Sequence, residues 1–173
     1  METALCTPPY NYNIGGVVSC GRIVQDTTMK GIYILILMMK ETKDIRVGKL
    51  GRLHFRRGYY SYVGSAQGTG GDKRITRHFN VARGKNHTRK WHIDYLLPHS
   101  DLICAVFSPT DEDLECVVAK ILSEYCEALQ GFGCSDCLCE SHLFFTGGNI
   151  MGEASDICEG ASGNESIIIY PDM

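Results

Sequence analysis

Hydrophobic and polar positions follow one another along this chain in short blocks, and the period changes from block to block. The run Gly31 to Met39, GIYILILMM, is apolar at almost every position. That density of Ile, Leu and Tyr predicts a buried strand. The next stretch, KETKDIRVGKLGRLHFRRG, mixes short β-like pieces with Gly48, Gly51, Gly58 and many basic side chains. It predicts an edge hairpin. YYSYVG follows as a second core strand. The segment DKRITRHFNVA then turns helical, with Thr69 or Asp72 as its cap. Its apolar face is Ile75, Phe79 and Ala82, and the spacing puts Arg74, Arg77 and His78 together on the other face.

After the basic loop RGKNHTRK, the segment WHIDYLL predicts a short helix closed by Pro98, and LICAVFS a strand. The longest predicted helix opens between Pro109 and Asp113 and runs to about Leu129. Its core stripe is Leu114, Val117, Val118, Ile121, Tyr125 and Leu129, and Gly131 and Gly133 end it. HLFFT is a further strand, and SIIIYP a late β piece. Strands and helices alternate, so the expected fold is α/β (α+β), a small mixed central sheet flanked by helices with an inserted β-hairpin. The expected organisation is an irregular N-terminal arm over residues 1–28, one domain over 29–149 and a C-terminal tail over 150–173.

Composition narrows the class. A chain of 173 residues with 44% hydrophobic and 21% charged positions suits one compact domain with a real core. The start, METALCTPPYNYN, lacks a basic and apolar leader, and the longest apolar run is too short to span a bilayer. The expectation is a cytoplasmic protein without a membrane partner. Nine cysteines in that setting point to reduced thiols or metal ligands. The net charge of −3 conceals a division: residues 43–90 hold 13 Lys and Arg against two acids, whereas the remainder holds four against 18. A local field of that sign suits a polyanion.

Chemistry enters with the order of a few residues. Gly31-Ile32-Tyr33 precedes Tyr62-Val63-Gly64, then a glycine-rich loop, then a helix with Arg74 and Arg77-His78-Phe79, and later Glu115. This order resembles the GIY-YIG nuclease superfamily. YVGSA followed by KR..RHF is locally similar to its homing-endonuclease members. Residues 29–149 as a whole look like an uncharacterised prokaryotic branch of it, with WHIDYLL and FGCSDCLCESHLF as signatures.

The resemblance implies a metal-dependent endonuclease that hydrolyses phosphodiester bonds in DNA, in repair or recombination. It assigns Tyr33 and Tyr62 to positioning the attacking water or acting as base, which requires a phenol pKa lowered by nearby cations. Arg74 would clamp a phosphate oxygen with its planar fork. His78 would take a proton or touch phosphate. Glu115 would hold one Mg²⁺ or Mn²⁺, hard ions that suit a carboxylate and waters. The superfamily also carries a late Asn in its site. Asn149 is one candidate, and His142 could take that place instead. Compact members join the two tyrosine motifs by a short turn, whereas here a basic hairpin intervenes.

The cluster GCSDCLCESH brings Cys134, Cys137, Cys139 and His142 within nine residues. Four such donors could satisfy a tetrahedral Zn²⁺. The spacing is unlike common zinc ladders, and thiols one residue apart on a strand face opposite ways, so buried structural thiols are the alternative. Cys116 and Cys126 read as helix packing.

Two other readings share the same basic surface: a non-catalytic nucleic-acid-binding relative, and an RNA-processing nuclease. Nucleic acid, DNA before RNA, is the expected partner, with Arg56, Arg57, Lys73, Arg77, Lys85 and Arg89 as its contacts. Binding should fall steeply between 50 and 200 mM salt, because each neutralised phosphate releases counterion. A fluorescence titration checks this, and charge reversal at Arg56, Arg57, Lys85 and Arg89 should weaken binding without unfolding the chain.

Overall fold

A computed structural model describes residues 28–171 of the chain. The predicted arm over residues 1–28 therefore lies almost wholly outside the described residues. Strand β1 (Gly31–Met39) sits inside a six-stranded sheet. Its neighbours are β4 (Gly58–Ser65) and β5 (Asp101–Pro109), both antiparallel to it. β7 (Leu143–Gly147) and the short β6 (Glu127–Ala128) extend one side, and β8 (Ile167–Ile169) closes the other. Every ladder is antiparallel, where the alternation of strands with helices had suggested a mixture of directions. β2 (Lys43–Val47) and β3 (Gly51–Phe55) form the inserted hairpin as a separate two-stranded sheet.

The reason β1 is apolar throughout is that both of its faces are covered. Tyr33, Leu35, Leu37 and Met39 point to one side, into a cluster with Ile75, Phe79, Leu96 and Phe132. That side is covered by helices α1 (Lys73–Ala82) and α2 (Ile93–Leu96) and by the hairpin, through Ile45, Val47 and Phe55. Ile32, Ile34 and Ile36 point the other way, against α3 (Glu115–Ser123) and α4 (Met151–Ser162). Each fully buried Leu or Ile contributes roughly 1.5–3 kcal/mol by leaving water. This strand is the thermodynamic centre of the fold. Among the described residues, no helix is long and apolar enough to cross a membrane.

Two expectations change. The helix predicted to run to about Leu129 is α3 alone, from Glu115 to Ser123. Val117 and Tyr125, assigned to its core stripe, are exposed. The stripe's last member, Leu129, matches helical spacing but lies just past β6, where its N–H donates to the Leu143 carbonyl. The segment from residue 150, read as a tail, contains α4, which buries Ala154 and Cys158 against the sheet, and then edge strand β8. The buried residues of α4 are small, and smallness without a strong apolar period looks like loop in sequence.

Both glycines of the paired motifs have a steric reason. A Cβ on Gly64 would lie 2.3 Å from the Tyr33 ring, and one on Gly31 2.4 Å from the Phe107 ring. Gly64 is thus the floor beneath Tyr33, directly opposite it in the ladder. Gly64→Ala should destabilise the protein by about 1–3 kcal/mol, the usual cost of overpacking. In a Tyr33→Leu background, which removes the far end of the ring, most of that penalty should disappear. Urea unfolding of the four proteins measures the coupling.

Candidate functional site

At the end of the sheet, α1, the start of α3 and the loop after Phe132 surround a polar cleft of about 180 Å³. Tyr33 and Tyr62 form its floor, from adjacent strands and on the same face. Arg74 enters from α1 and Glu115 from the first residue of α3. Lys90, Trp91 and His92 line it together with Gly133, Ser135 and Asp136, and the Gly133 N–H donates to His92 Nδ1 at 2.9 Å. Four residues singled out in sequence, Tyr33, Tyr62, Arg74 and Glu115, therefore converge on one cavity.

Arg74 is held in place by its surroundings. Its Nη1 donates to the Ser65 carbonyl at 2.8 Å, and its guanidinium lies 5.3 Å from the Trp91 ring. Gly68, in the glycine-rich loop, makes room for it: a Cβ there would sit 2.4 Å from Nη2. Asp72 occupies the N-cap position of α1 but makes no side-chain cap. Its carboxylate accepts the Met29 N–H instead, tying the loop to the entry of β1. Gly71, at φ +47°, allows the tight turn between them.

His78 differs from expectation. It is buried behind Tyr33 rather than displayed on the polar face with Arg74. Its Nε2 is 2.9 Å from the Tyr33 hydroxyl, and its Nδ1 is 3.8 Å from Asp94 Oδ1. A proton on Nδ1, facing the carboxylate, leaves Nε2 to accept from Tyr33. Asp94 is fully buried and receives both arms of the Arg77 fork at 2.8 Å, together with the N–H groups of Lys90 and Trp91. Burial alone would raise its carboxyl; the Arg77 bonds and those two N–H groups bring it below its ordinary value. Burial pushes the His78 imidazole down to about 4, with Asp94 pulling the other way and Arg77 and Arg74 adding to the fall.

The phenols are also unlike the expectation. Burial first, and then the negative charge of Glu115, push Tyr33 well above its ordinary value, and Arg74 does not offset them. Tyr62 is raised for the same leading reason, burial. The cations do not activate these tyrosines by lowering their pKa. Both stay neutral, and Tyr33 is linked instead to a neutral imidazole.

The predicted nucleic-acid contacts divide into two groups. Arg56, Arg57, Lys73 and Lys85 are exposed. Arg77 is committed to buried Asp94 and stacks over Trp91 at 4.5 Å, so it is part of the scaffold. Arg56 pairs with Glu127 and lies 4.0 Å over the Phe145 ring. Arg89 is half-buried. Lys90, absent from the sequence candidates, lines the cleft beside Trp91. Trp91, His92 and Asp94 were missed as well. Their signal lay in WHIDYLL, where a buried acid in a short amphipathic helix hinted at a cation partner.

Near Glu115 lies a second cluster. His142 is buried, with Nδ1 at ion-pair distance from Glu115 Oε1, 3.3 Å, though not aligned as a hydrogen bond, and Nε2 3.4 Å from Cys137 Sγ. Burial would lower this imidazole, but Glu115 and Cys137 hold it above its ordinary value. The donor atoms of Cys116, Cys137, Cys139 and His142 all lie within 4.8 Å of one another, so the set could hold a metal ion. Cys116 replaces Cys134, whose thiol instead faces the Glu140 carbonyl at 3.6 Å. The segment 134–142 is irregular rather than a strand, so Cys137 and Cys139 are free to converge. Asn149 lies away from the cleft: its side chain accepts the Met151 N–H at the start of α4. Of the two late candidates, only His142 is beside Glu115.

Residues 32–162 match the family model described as Domain of unknown function DUF123. No curated protein and no solved structure matches the chain.

The buried imidazole predicts a pH response. An unfolded His titrates near 6.5, whereas His78 in the fold does so near 4, so the unfolded chain takes up the extra proton first. Stability from this group is fully present above about 6.5 and is lost as pH falls toward 4. Thermal melts across that window should show the decline, and His78→Gln should flatten it.

Proposed function

The chain belongs to the DUF123 family, and from its own residues we propose that it is a GIY-YIG-type, divalent-metal-dependent endonuclease that hydrolyses phosphodiester bonds in DNA. The observation that carries this reading is the convergence of Tyr33, Tyr62, Arg74 and Glu115 on one polar cleft. The exposed Lys73 and Lys85 and the cleft's Lys90 suit a phosphate backbone entering from the basic segment.

In this reading the scissile phosphate sits between Arg74 and Glu115. Arg74, held by Ser65 and Gly68, donates to a non-bridging oxygen and favours the charge that builds there. Tyr62 and Tyr33 hold the attacking water. As the water oxygen bonds to phosphorus, its proton passes to the Tyr33 oxygen while the Tyr33 proton moves to His78 Nε2. Asp94 steadies the resulting imidazolium, and the bond to the leaving oxygen breaks. Mg²⁺ or Mn²⁺ at Glu115 would neutralise charge on that leaving oxygen. The thiolate-rich cluster suits a softer ion, and among common ions Zn²⁺ fits three thiolates and an imidazole best.

The test is cleavage of plasmid, hairpin DNA and structured RNA with Mg²⁺ or Mn²⁺. Arg74→Ala should reduce the rate about 10²-fold or more, and Glu115→Gln should abolish or shift metal dependence. Both should retain near-native melting, since the two side chains face the cleft. Wild-type rates in both variants, or no cleavage by any form, would sink the catalytic reading. Salt-sensitive binding without cleavage would favour a binding-only relative, and cleavage confined to RNA would favour a processing nuclease.

A further inference from the structure

The thiol cluster and the cleft are not separate features, because neighbouring residues join them. Glu115 lines the cleft, and the next residue in α3, Cys116, contributes to the cluster. His142 presents one ring nitrogen to the thiols and the other to Glu115. We propose that a zinc ion held by Cys116, Cys137, Cys139 and His142 pins the acidic wall of the cleft, with Glu115 as the outer carboxylate that orients His142.

The donor set fits the ion. Tetrahedral Zn²⁺ with bonds of ~2.3 Å to sulfur sets its ligand atoms ~3.8 Å apart, and the four donors already lie within 4.8 Å. Ligating histidines commonly give their second N–H to a carboxylate, which fixes the tautomer and the ring. His142 meets that description: its buried Nδ1 has no aligned hydrogen bond, and the Glu115 carboxylate is 3.3 Å away.

The position of the cluster gives the ion a task. Cys116 comes from α3, Cys137 and Cys139 from the irregular segment, and His142 from the residue before β7. One ion would join these three pieces. The irregular segment supplies Ser135 and Asp136 to the cleft, yet it contains no helix or strand to hold it. Four metal bonds would supply that rigidity. They would also anchor Glu115 twice, through the neighbouring Cys116 and through His142. The inference builds on the reading of the cleft as a nuclease site, but its test uses no nucleic acid.

Metal analysis of the full chain should find one zinc per molecule. Replacement by Co²⁺ should give the intense visible bands of a tetrahedral thiolate site. Cys116→Ser should lower affinity for the ion strongly in competition with a coloured chelator, whereas Cys134→Ser should leave it unchanged. Glu115→Gln should keep the one-to-one stoichiometry but weaken affinity about 10–100-fold, the usual effect of losing an outer-shell partner. Wild-type protein without tightly bound zinc and without the Co²⁺ bands would overturn the site. Dependence on Cys134 rather than Cys116 would overturn the ligand set. Unchanged affinity in Glu115→Gln would overturn the link to the cleft. None of these results depends on whether the protein cuts DNA, so failure here and failure of the nuclease reading are told apart.

Discussion

Tyr33 occupies the space where any side chain on Gly64 would have to be, and the geometry of the cleft follows from that contact. The ring is confined between the bare backbone of the neighbouring strand and the helix carrying His78. Its hydroxyl is thereby brought to 2.9 Å from the imidazole. A methyl group on the neighbouring strand would lift the ring and break the connection. Because β1 is buried on both faces, it has little freedom to shift and compensate. The strand buried on both faces is thus the one that holds Tyr33 at the cleft floor.

Behind that phenol, a buried ion pair substitutes for apolar packing. Asp94 is inaccessible to water, and its charge is tolerable only because the Arg77 fork and two backbone N–H groups surround it. Removing one partner of such a pair leaves an uncompensated charge, typically costing about 3–5 kcal/mol. The arrangement ties α1 to α2 and keeps His78 facing Tyr33. It also spends part of the positive charge of the basic segment inside the protein. Arg77 is spent on Asp94, whereas Arg56, although paired with Glu127, stays exposed, as do Lys73, Lys85 and Lys90.

In the irregular segment that completes the cleft, order is maintained differently. The chain between Gln130 and His142 has no ladder of its own and is secured by individual bonds. The Gly133 N–H reaches His92 Nδ1, and the His142 N–H reaches the Phe132 carbonyl. A metal centre is a direct way to stiffen such a segment, and its donors lie where three elements meet. The inserted hairpin needs no such device, because Ile45, Val47 and Phe55 join the main core while its exposed edge carries Lys and Arg.

Strand periodicity, the basic hairpin and the helix carrying Arg74 were legible in the sequence, since each depends on neighbours a few residues away. The α+β class followed from their order. The tertiary structure alone decided which polar residues are inside. His78 falls on the Arg74 side by helical spacing, yet the packing of α1 against β1 turns it into the core. Asp94 acquires its meaning only from Arg77, distant along the chain. Cys116 joins Cys137 and Cys139, while the nearer Cys134 does not, because convergence of donors depends on how α3 meets the loop and not on spacing within the loop. The false extension of α3 has the same origin: Leu129 keeps helical period although the chain has already left the helix and passed through β6. Local pattern encodes local geometry, but burial, and with it every pKa at the cleft, is a property of the assembled layers.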